Sequence, residues 1–338
     1  MSKNEELPLV SVLMPVYNAE DYVEEAVRSV LNQTYRNIEL ICFNDASTDR
    51  SLEILEALAA TDARMTVIDS PINVKQGGGR NRALKASGGR YVMFLDSDDA
   101  LEPDAVESCV STIAKDDSID AVFFDWSLYY PSRDKKIRVE QLGKDAVRLT
   151  GDALRRRIIQ RSTAVWSAMY DKNLIVENSL FFPEGVFYED NAVALAIQLK
   201  AKNPVKIDRA LYLYRQDNQS VMRSTNNMKF FDRIGSAVTL LSNLKRVGVY
   251  ERFAPLIDYV FIQQYLEHTV YGAIYRFDRV QTDRIKEVRE GIDCYIDNYR
   301  QNPSYRARPL SKKLKLELHL RFPRLIKYLS NLRHRLSR

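Results

Sequence analysis

The sequence predicts an α/β fold, a mostly parallel sheet flanked by helices, with a helical C-terminal extension. Three observations carry this. Over the first 125 residues, short apolar runs rich in β-branched residues alternate with longer stretches of helical periodicity. Those runs are apolar throughout, as strands covered on both faces of a sheet must be. From residue 226 onward apolar positions recur at three- and four-residue steps, as in Ile234, Ala237, Leu240, Leu241 and Leu244.

Taken in order, strands are expected over residues 9–14, 38–43, 65–68, 91–95 and 121–124. Helices are expected between them, near residues 20–32, 49–60, 79–86 and 103–115. Between residues 126 and 225 the pattern loosens into mixed strands, loops and short helices, with prolines at Pro131, Pro183 and Pro204. The expected divisions are therefore 1–125, 126–225 and 226–338.

The 338 residues are 45% hydrophobic and 28% charged, which suits a globular chain and excludes collagen-like, fibrous or wholly disordered classes. No apolar run approaches the roughly 18 residues of a membrane-spanning helix, and residues 1–8 lack the layout of a signal peptide. A cytoplasmic location is expected. Three scattered cysteines (Cys42, Cys109, Cys294) support neither a disulfide framework nor a zinc site. All three histidines lie in the last quarter, so chemistry in the first two thirds must use carboxylates, hydroxyls, amides or a metal held by oxygen.

The net charge of +5 is unevenly placed. Residues 301–338 hold eleven Lys/Arg and a single acid, Glu317, which leaves the remaining 300 residues at −5. A mildly acidic body argues against nucleic acid as a partner. In the tail, Leu310, Leu314, Leu318, Phe322, Leu325, Leu329, Leu332 and Leu336 form one helical stripe, interleaved with basic residues, and Pro323 is expected to divide it into two helices. Such a stripe suits an anionic membrane surface, on the inner face of the cell membrane; it equally suits packing of the leucines on the body.

Ligands of parallel sheets sit at the carboxyl ends of the strands. Behind the first strand stands Pro15-Val16-Tyr17-Asn18, behind the second Asn44-Asp45-Ala46-Ser47-Thr48-Asp49, and behind the fourth Asp96-Ser97-Asp98-Asp99. Tyr17 could stack on a planar base and Asp45 accept from its N–H, although the second segment also reads as a helix cap. Asp96 and Asp98 offer oxygen ligands to a hard divalent cation, Mg²⁺ or Mn²⁺, able to bridge a diphosphate. Gln76-Gly77-Gly78-Gly79-Arg80-Asn81-Arg82 reads either as a phosphate-binding helix start or as a turn.

These segments, with Asn32-Gln33-Thr34-Tyr35 and Arg80-Asn81, resemble the signatures of family 2 glycosyltransferases, which have the GT-A fold. Trp166-Ser167-Ala168-Met169-Tyr170, Phe182-Pro183-Glu184-Gly185, Tyr188-Glu189-Asp190, and Tyr214-Arg215 followed by Ser220 resemble the acceptor half of bacterial members. The likeness covers about 215 residues and implies a division of labour: 1–125 would bind the nucleotide sugar, 126–225 the acceptor, with 226–338 as a helical region. It implies an inverting, metal-dependent transfer of a sugar from a nucleoside diphosphate donor (uridine by family habit) to a glycan or lipid-linked glycan, in bacterial cell-surface polysaccharide or lipooligosaccharide synthesis. The residues it implies for the nucleotide sugar are Pro15, Val16, Tyr17, Asn18, Asp45, Arg80, Asp96, Ser97 and Arg215. Asp98 and Asp96 would hold the metal, Asp190 would be the catalytic base, and Trp166 and Glu189 would meet the acceptor. Two departures stand out: Ala46 replaces a usual glycine, and Lys75-Gln76-Gly77-Gly78-Gly79 replaces the usual stretch before Arg80-Asn81. Two other readings use the same residues: a GT-A-fold binder of nucleotide sugars without catalysis, and a phosphatase of the haloacid-dehalogenase type, whose Asp-x-Asp also follows a hydrophobic strand.

Overall fold

The computed structural model of the chain describes residues 8–161, 164–217 and 225–336; Met1 and Ser220 lie outside them. Two compact units divide between residues 218 and 219.

The first unit begins with the expected alternation. Strands β1 (Val10–Val16), β2 (Ile38–Asp45), β3 (Met65–Ser70) and β4 (Tyr91–Phe94) alternate with helices α1 (Val23–Leu31), α2 (Ser51–Ala59) and α3 (Lys75–Ala86). Then follow β5 (Ala100–Leu101), α4 (Ala105–Ile113), β6 (Ala121–Tyr130), β7 (Lys135–Val139), α5 (Gly151–Arg161), β8 (Ala168–Asp171), α6 (Asn173–Val176), α7 (Ala194–Lys200) and β9 (Pro204–Arg215). Among the described residues one sheet runs in the order β3-β2-β1-β4-β8-β6-β9-β5, with β7 paired to β6. The pairings β3–β2–β1–β4 are all parallel. Beyond β4 the sheet turns mixed, because β8 pairs antiparallel with both β4 and β6.

The strands are apolar because both faces are covered. Val12, Met14, Leu40, Cys42 and Met93 belong to one core with Val23, Val27 and Val30 of α1 and Val106, Cys109 and Val110 of α4. Their alternates Leu13, Ile41, Phe43 and Phe94 are equally buried on the other face. There α3 packs on β1 and β2, and a Cβ on Gly79 would stand 3.0 Å from both Pro15 and the Phe43 ring.

Helix α3 starts at Lys75, one turn earlier than expected. Its three glycines are helical and buried, so the segment is neither a turn nor an open phosphate cradle. Each glycine costs about 1 kcal/mol in a helix relative to alanine, and close approach is what that cost secures: a Cβ on Gly77 would lie 2.2 Å from the Pro183 carbonyl oxygen.

The second unit is helical: α8 (Asp232–Arg246), α9 (Tyr250–Phe261), α10 (His268–Tyr275), α11 (Thr282–Gly291), α12 (Pro303–Arg306), α13 (Leu310–Arg321) and α14 (Pro323–Leu336). A π-helical turn, Ile262–Glu267, joins α9 to α10. Pro323 opens α14, so the tail is two helices as the proline predicts. No helix among the described residues is long and apolar enough to cross a membrane.

Candidate active site

Because β1, β2 and β4 are parallel neighbours, their carboxyl ends bring residues 15–18, 44–49 and 96–99 to one edge of the sheet. Pro15 and Val16 are buried inside β1, while Tyr17 and Asn18 emerge, the tyrosine about half exposed. Asn18 has φ +48° and takes the Thr48 amide on its Oδ1 at 2.8 Å. Its own amide donates to Ser47 Oγ at 3.1 Å. Asp49 accepts from the Glu20 and Ser51 amides at 3.0 Å each. The Ser-Thr-Asp stretch thus ties the first two strand ends together as well as opening α2. Ala46, in the usual glycine position, adopts φ +57°. Buried Asp45 uses Oδ1 on the Val74 amide (2.6 Å), and its carbonyl accepts from Asn73 Nδ2 (2.9 Å), which fixes the entry to α3.

Behind β4, Asp96, Ser97 and Asp98 are half-buried and Asp99 is buried. Asp99 faces inward: it accepts from Tyr212 Oη (2.7 Å) and the Arg215 amide (2.8 Å). Burial, then Asp98 and Asp96, hold its carboxyl well above the ordinary carboxylate range. Tyr212 Oη also accepts from the Asp96 amide at 3.2 Å, so one hydroxyl fixes both ends of the acidic run.

Arg80 stands at the centre. Its side chain is 3% exposed, with Nη2 on Asp96 Oδ1 at 2.7 Å and Nη1 on Glu189 Oε1 at 2.5 Å. The guanidinium lies 5.4 Å from the centroid of the Phe182 ring. Residues 181–190 are held along the same helix. Asn81 pairs both ways with the Phe182 backbone (2.8 and 2.9 Å), Arg82 meets Glu184 (2.9 Å), and the Gly185 amide donates to the Val74 carbonyl (3.1 Å). The glycine-rich segment therefore grips the loop that carries Glu189 and Asp190. Burial pushes the carboxyls of both upward, Arg80 pulls them back, and Asp96 pushes both the other way. Asp190 is half-buried at a 3₁₀ turn, Asp190–Ala192, its Oδ1 accepting from the Asn191 amide at 2.8 Å.

Arg215 donates from Nε to the Asp98 carbonyl at 2.8 Å and from Nη2 to Glu25, and its guanidinium lies 5.3 Å from the ring centroids of both Tyr22 and Tyr129. Its fork supports the backbone of the acidic run. Trp166 is half-buried and parallel to Tyr212 (centroids 4.3 Å, 15°) and Tyr214 (5.8 Å, 14°), with Trp126 edge-on at 5.6 Å. These rings form one aromatic bank beside the acidic run. Sequence reading did not single out Tyr212, the stacking of Arg80 on Phe182 or the inward turn of Asp99. For Tyr212 a signal existed: Tyr212 and Tyr214 alternate on one face of β9.

Could the acidic run hold a divalent cation? Among the described residues no group of three or more His, Cys, Asp or Glu is arranged to hold an ion alone. Asp96 and Asp98 supply two hard carboxylates, the number with which Mg²⁺ commonly binds when phosphate oxygens and water complete its shell. Because Asp96 already takes Arg80 on Oδ1, this donor set fits only an ion that brings most of its ligands with a diphosphate and water.

Residues 11–165 match the family described as Glycosyl transferase family 2. EpsH of Bacillus subtilis, named "Putative glycosyltransferase EpsH", is 30% identical over 262 residues, 75% of this chain and 74% of EpsH. EpsJ of the same organism, an uncharacterized glycosyltransferase by name, is 33% identical over 222 residues; the match spans 64% of this chain and 63% of EpsJ, less than two thirds of that relative. Among solved structures, TarS 1–349 of S. aureus, crystallised with UDP-GlcNAc, shares the fold with a TM-score of 0.57 at 22% identity, over 88% of this chain and 91% of that one. With a match at 30% identity that covers 74% of EpsH, and residues 11–165 matching the family model, the chain belongs to glycosyl transferase family 2.

Proposed function

We propose that the protein transfers a hexosyl group, with inversion, from a uridine diphosphate sugar to a hydroxyl of a glycan, in bacterial cell-surface polysaccharide or lipooligosaccharide synthesis. The acceptor on this reading is carried by a lipid, and the protein works in the cytoplasm against the inner face of the membrane. TarS, whose fold the chain shares, was crystallised with UDP-GlcNAc, which supports the donor class. One observation carries the reading: Arg80 joins Asp96, on the donor side, to Glu189, the neighbour of Asp190, through two contacts of 2.7 Å or less.

In this account Tyr17 stacks on the base, and the buried Pro15 and Val16 shape the strand end beneath it. Asn18, Asp45 and Ser97 line the donor crevice, and Arg215 holds the backbone of Asp98. Asp98 and Asp96 would hold Mn²⁺ or Mg²⁺, whose charge would stabilise the leaving diphosphate. Asp190 takes the proton of the acceptor hydroxyl as its oxygen bonds to the anomeric carbon and the bond from that carbon to the diphosphate oxygen breaks. Base catalysis of this kind contributes typically about 10²–10⁴-fold. Trp166 offers an acceptor sugar a stacking surface. Arg80 and Glu189 are positioning residues: their ion pair fixes the loop bearing Asp190 at a set distance from the acidic run.

A calorimetric titration tests the metal assignment. Mn²⁺ should bind weakly alone and tightly once UDP is present, and Asp98→Asn should remove that gain. UDP affinity that ignored Mn²⁺ in the unaltered protein would refute it.

A further inference from the structure

We infer that the outward face of α13 and α14 is a docking surface for an anionic lipid bilayer. The inference stands on the second unit alone and does not require the transfer reading to be correct. Helix α13 is anchored through one side only. Leu316, His319 and Leu320 are buried, and His319 is held between the Tyr275 hydroxyl (2.8 Å) and the Lys315 carbonyl (2.6 Å). Its other side leaves Leu314 and Leu318 about half exposed, and α14 likewise leaves Leu325, Tyr328, Leu329 and Leu332 exposed while Ile326 and Ser330 turn inward. From Leu310 to Leu332 the leucine stripe is therefore presented to solvent, so of its two evenly matched alternatives the packing of these leucines on the body is the one the described side chains disfavour.

At about 100° per residue, Leu325, Tyr328, Leu329 and Leu332 form a single stripe along α14, and Arg324 and Arg333 flank it at about 90° on either side. Both arginines are exposed, as are Lys315 and Arg321 on α13. A contiguous exposed apolar band of this kind marks an interaction site, and cations along its edges are the pattern of a helix lying in a lipid interface. Charge decides the occupant. The single acid of the tail, Glu317, is already paired with Arg300 at 3.0 Å. A second copy laid on this face would bring two basic borders together with no carboxylate to answer them, whereas anionic headgroups answer them directly. Each Lys or Arg at such a surface improves partitioning about fivefold.

The test is co-sedimentation of the full chain with phosphatidylglycerol–phosphatidylcholine vesicles. The unaltered protein should bind, less so at high salt, and scarcely at all to pure phosphatidylcholine. Replacing Leu325, Leu329 and Leu332 together with Gln should lower partitioning at least about tenfold, and Arg324→Gln with Arg333→Gln about 25-fold. Circular dichroism and unfolding midpoint should not change, because these side chains are exposed. Equal binding by the leucine variant and the parent, or equal binding to neutral and anionic vesicles, would overturn the proposal. So would a lipid-independent dimer of the parent that the leucine variant loses, since the face would then belong to a second copy.

Discussion

Replacing Arg80 by Lys keeps the charge and removes the fork, so one ammonium must serve two carboxylates that now take separate guanidinium nitrogens at 2.7 and 2.5 Å. A hydrogen bond to a charged group contributes about 1.5–3 kcal/mol. If that energy holds Asp190 in place, its loss should lower transfer by about 10- to 150-fold, with UDP affinity little changed. Arg80→Met is harsher, because it strands Glu189, 5% exposed, beside Asp190. Breaking a buried pair from one side costs about 3–5 kcal/mol, a fall in unfolding midpoint of roughly 6–20 °C for a unit of this size. Adding Glu189→Gln to Arg80→Met removes the stranded charge and should recover part of the midpoint but none of the transfer. A double-mutant cycle on midpoint and on nucleotide release from a UDP-sugar separates the two effects. Arg80→Lys turning over at the parent rate with an unchanged midpoint would show that the bridge sets neither stability nor geometry.

Two further outcomes follow from local geometry. Ala46 sits at φ +57°, where a side chain costs about 1–2 kcal/mol that glycine does not incur, so Ala46→Gly should raise stability in denaturant titrations by up to that amount. Buried His319 is kept neutral: burial holds its imidazole below the usual 6.5, with Lys315 pushing the same way, while the Lys315 carbonyl opposes them; the Tyr271 ring lies edge-on to it at 5.0 Å. The unfolded chain therefore takes up the proton first. Stability is complete above the ordinary histidine value and declines as pH falls through it, so the midpoint should drop between about pH 7.5 and about pH 5.5. His319→Gln should flatten that slope.

The apolar strand runs fixed the parallel half of the sheet because burial on both faces leaves no polar option, and the polar residues behind them marked the sheet edge where the candidate site lies. What chain order could not reveal was which charges meet. Arg80 and Glu189 lie 109 residues apart, and nothing in either segment announces the other. Arg80 thus suggested a phosphate ligand, and the position of Asp99 directly behind Asp98 gave no sign that its side chain turns inward to Tyr212. The glycines of α3 were legible in principle: three in one helix are costly and imply close packing, here against Pro183. The tail's periodicity was plain, but only the exposure of Leu325, Tyr328 and Leu329 decides between burial and presentation.

In the proposed mechanism Asp190 removes the acceptor's proton. Burial raises its carboxyl above the ordinary value of 3.8, against the pull of Arg80, and the base works only when ionised. Steady-state transfer by Asp190→Asn, measured beside UDP affinity and a pH profile of the parent, tests this most directly. Transfer should fall about 10²–10⁴-fold with UDP binding unchanged, and parent activity should decline as pH falls toward a value above the usual aspartate range. Parent-like turnover by Asp190→Asn would contradict it.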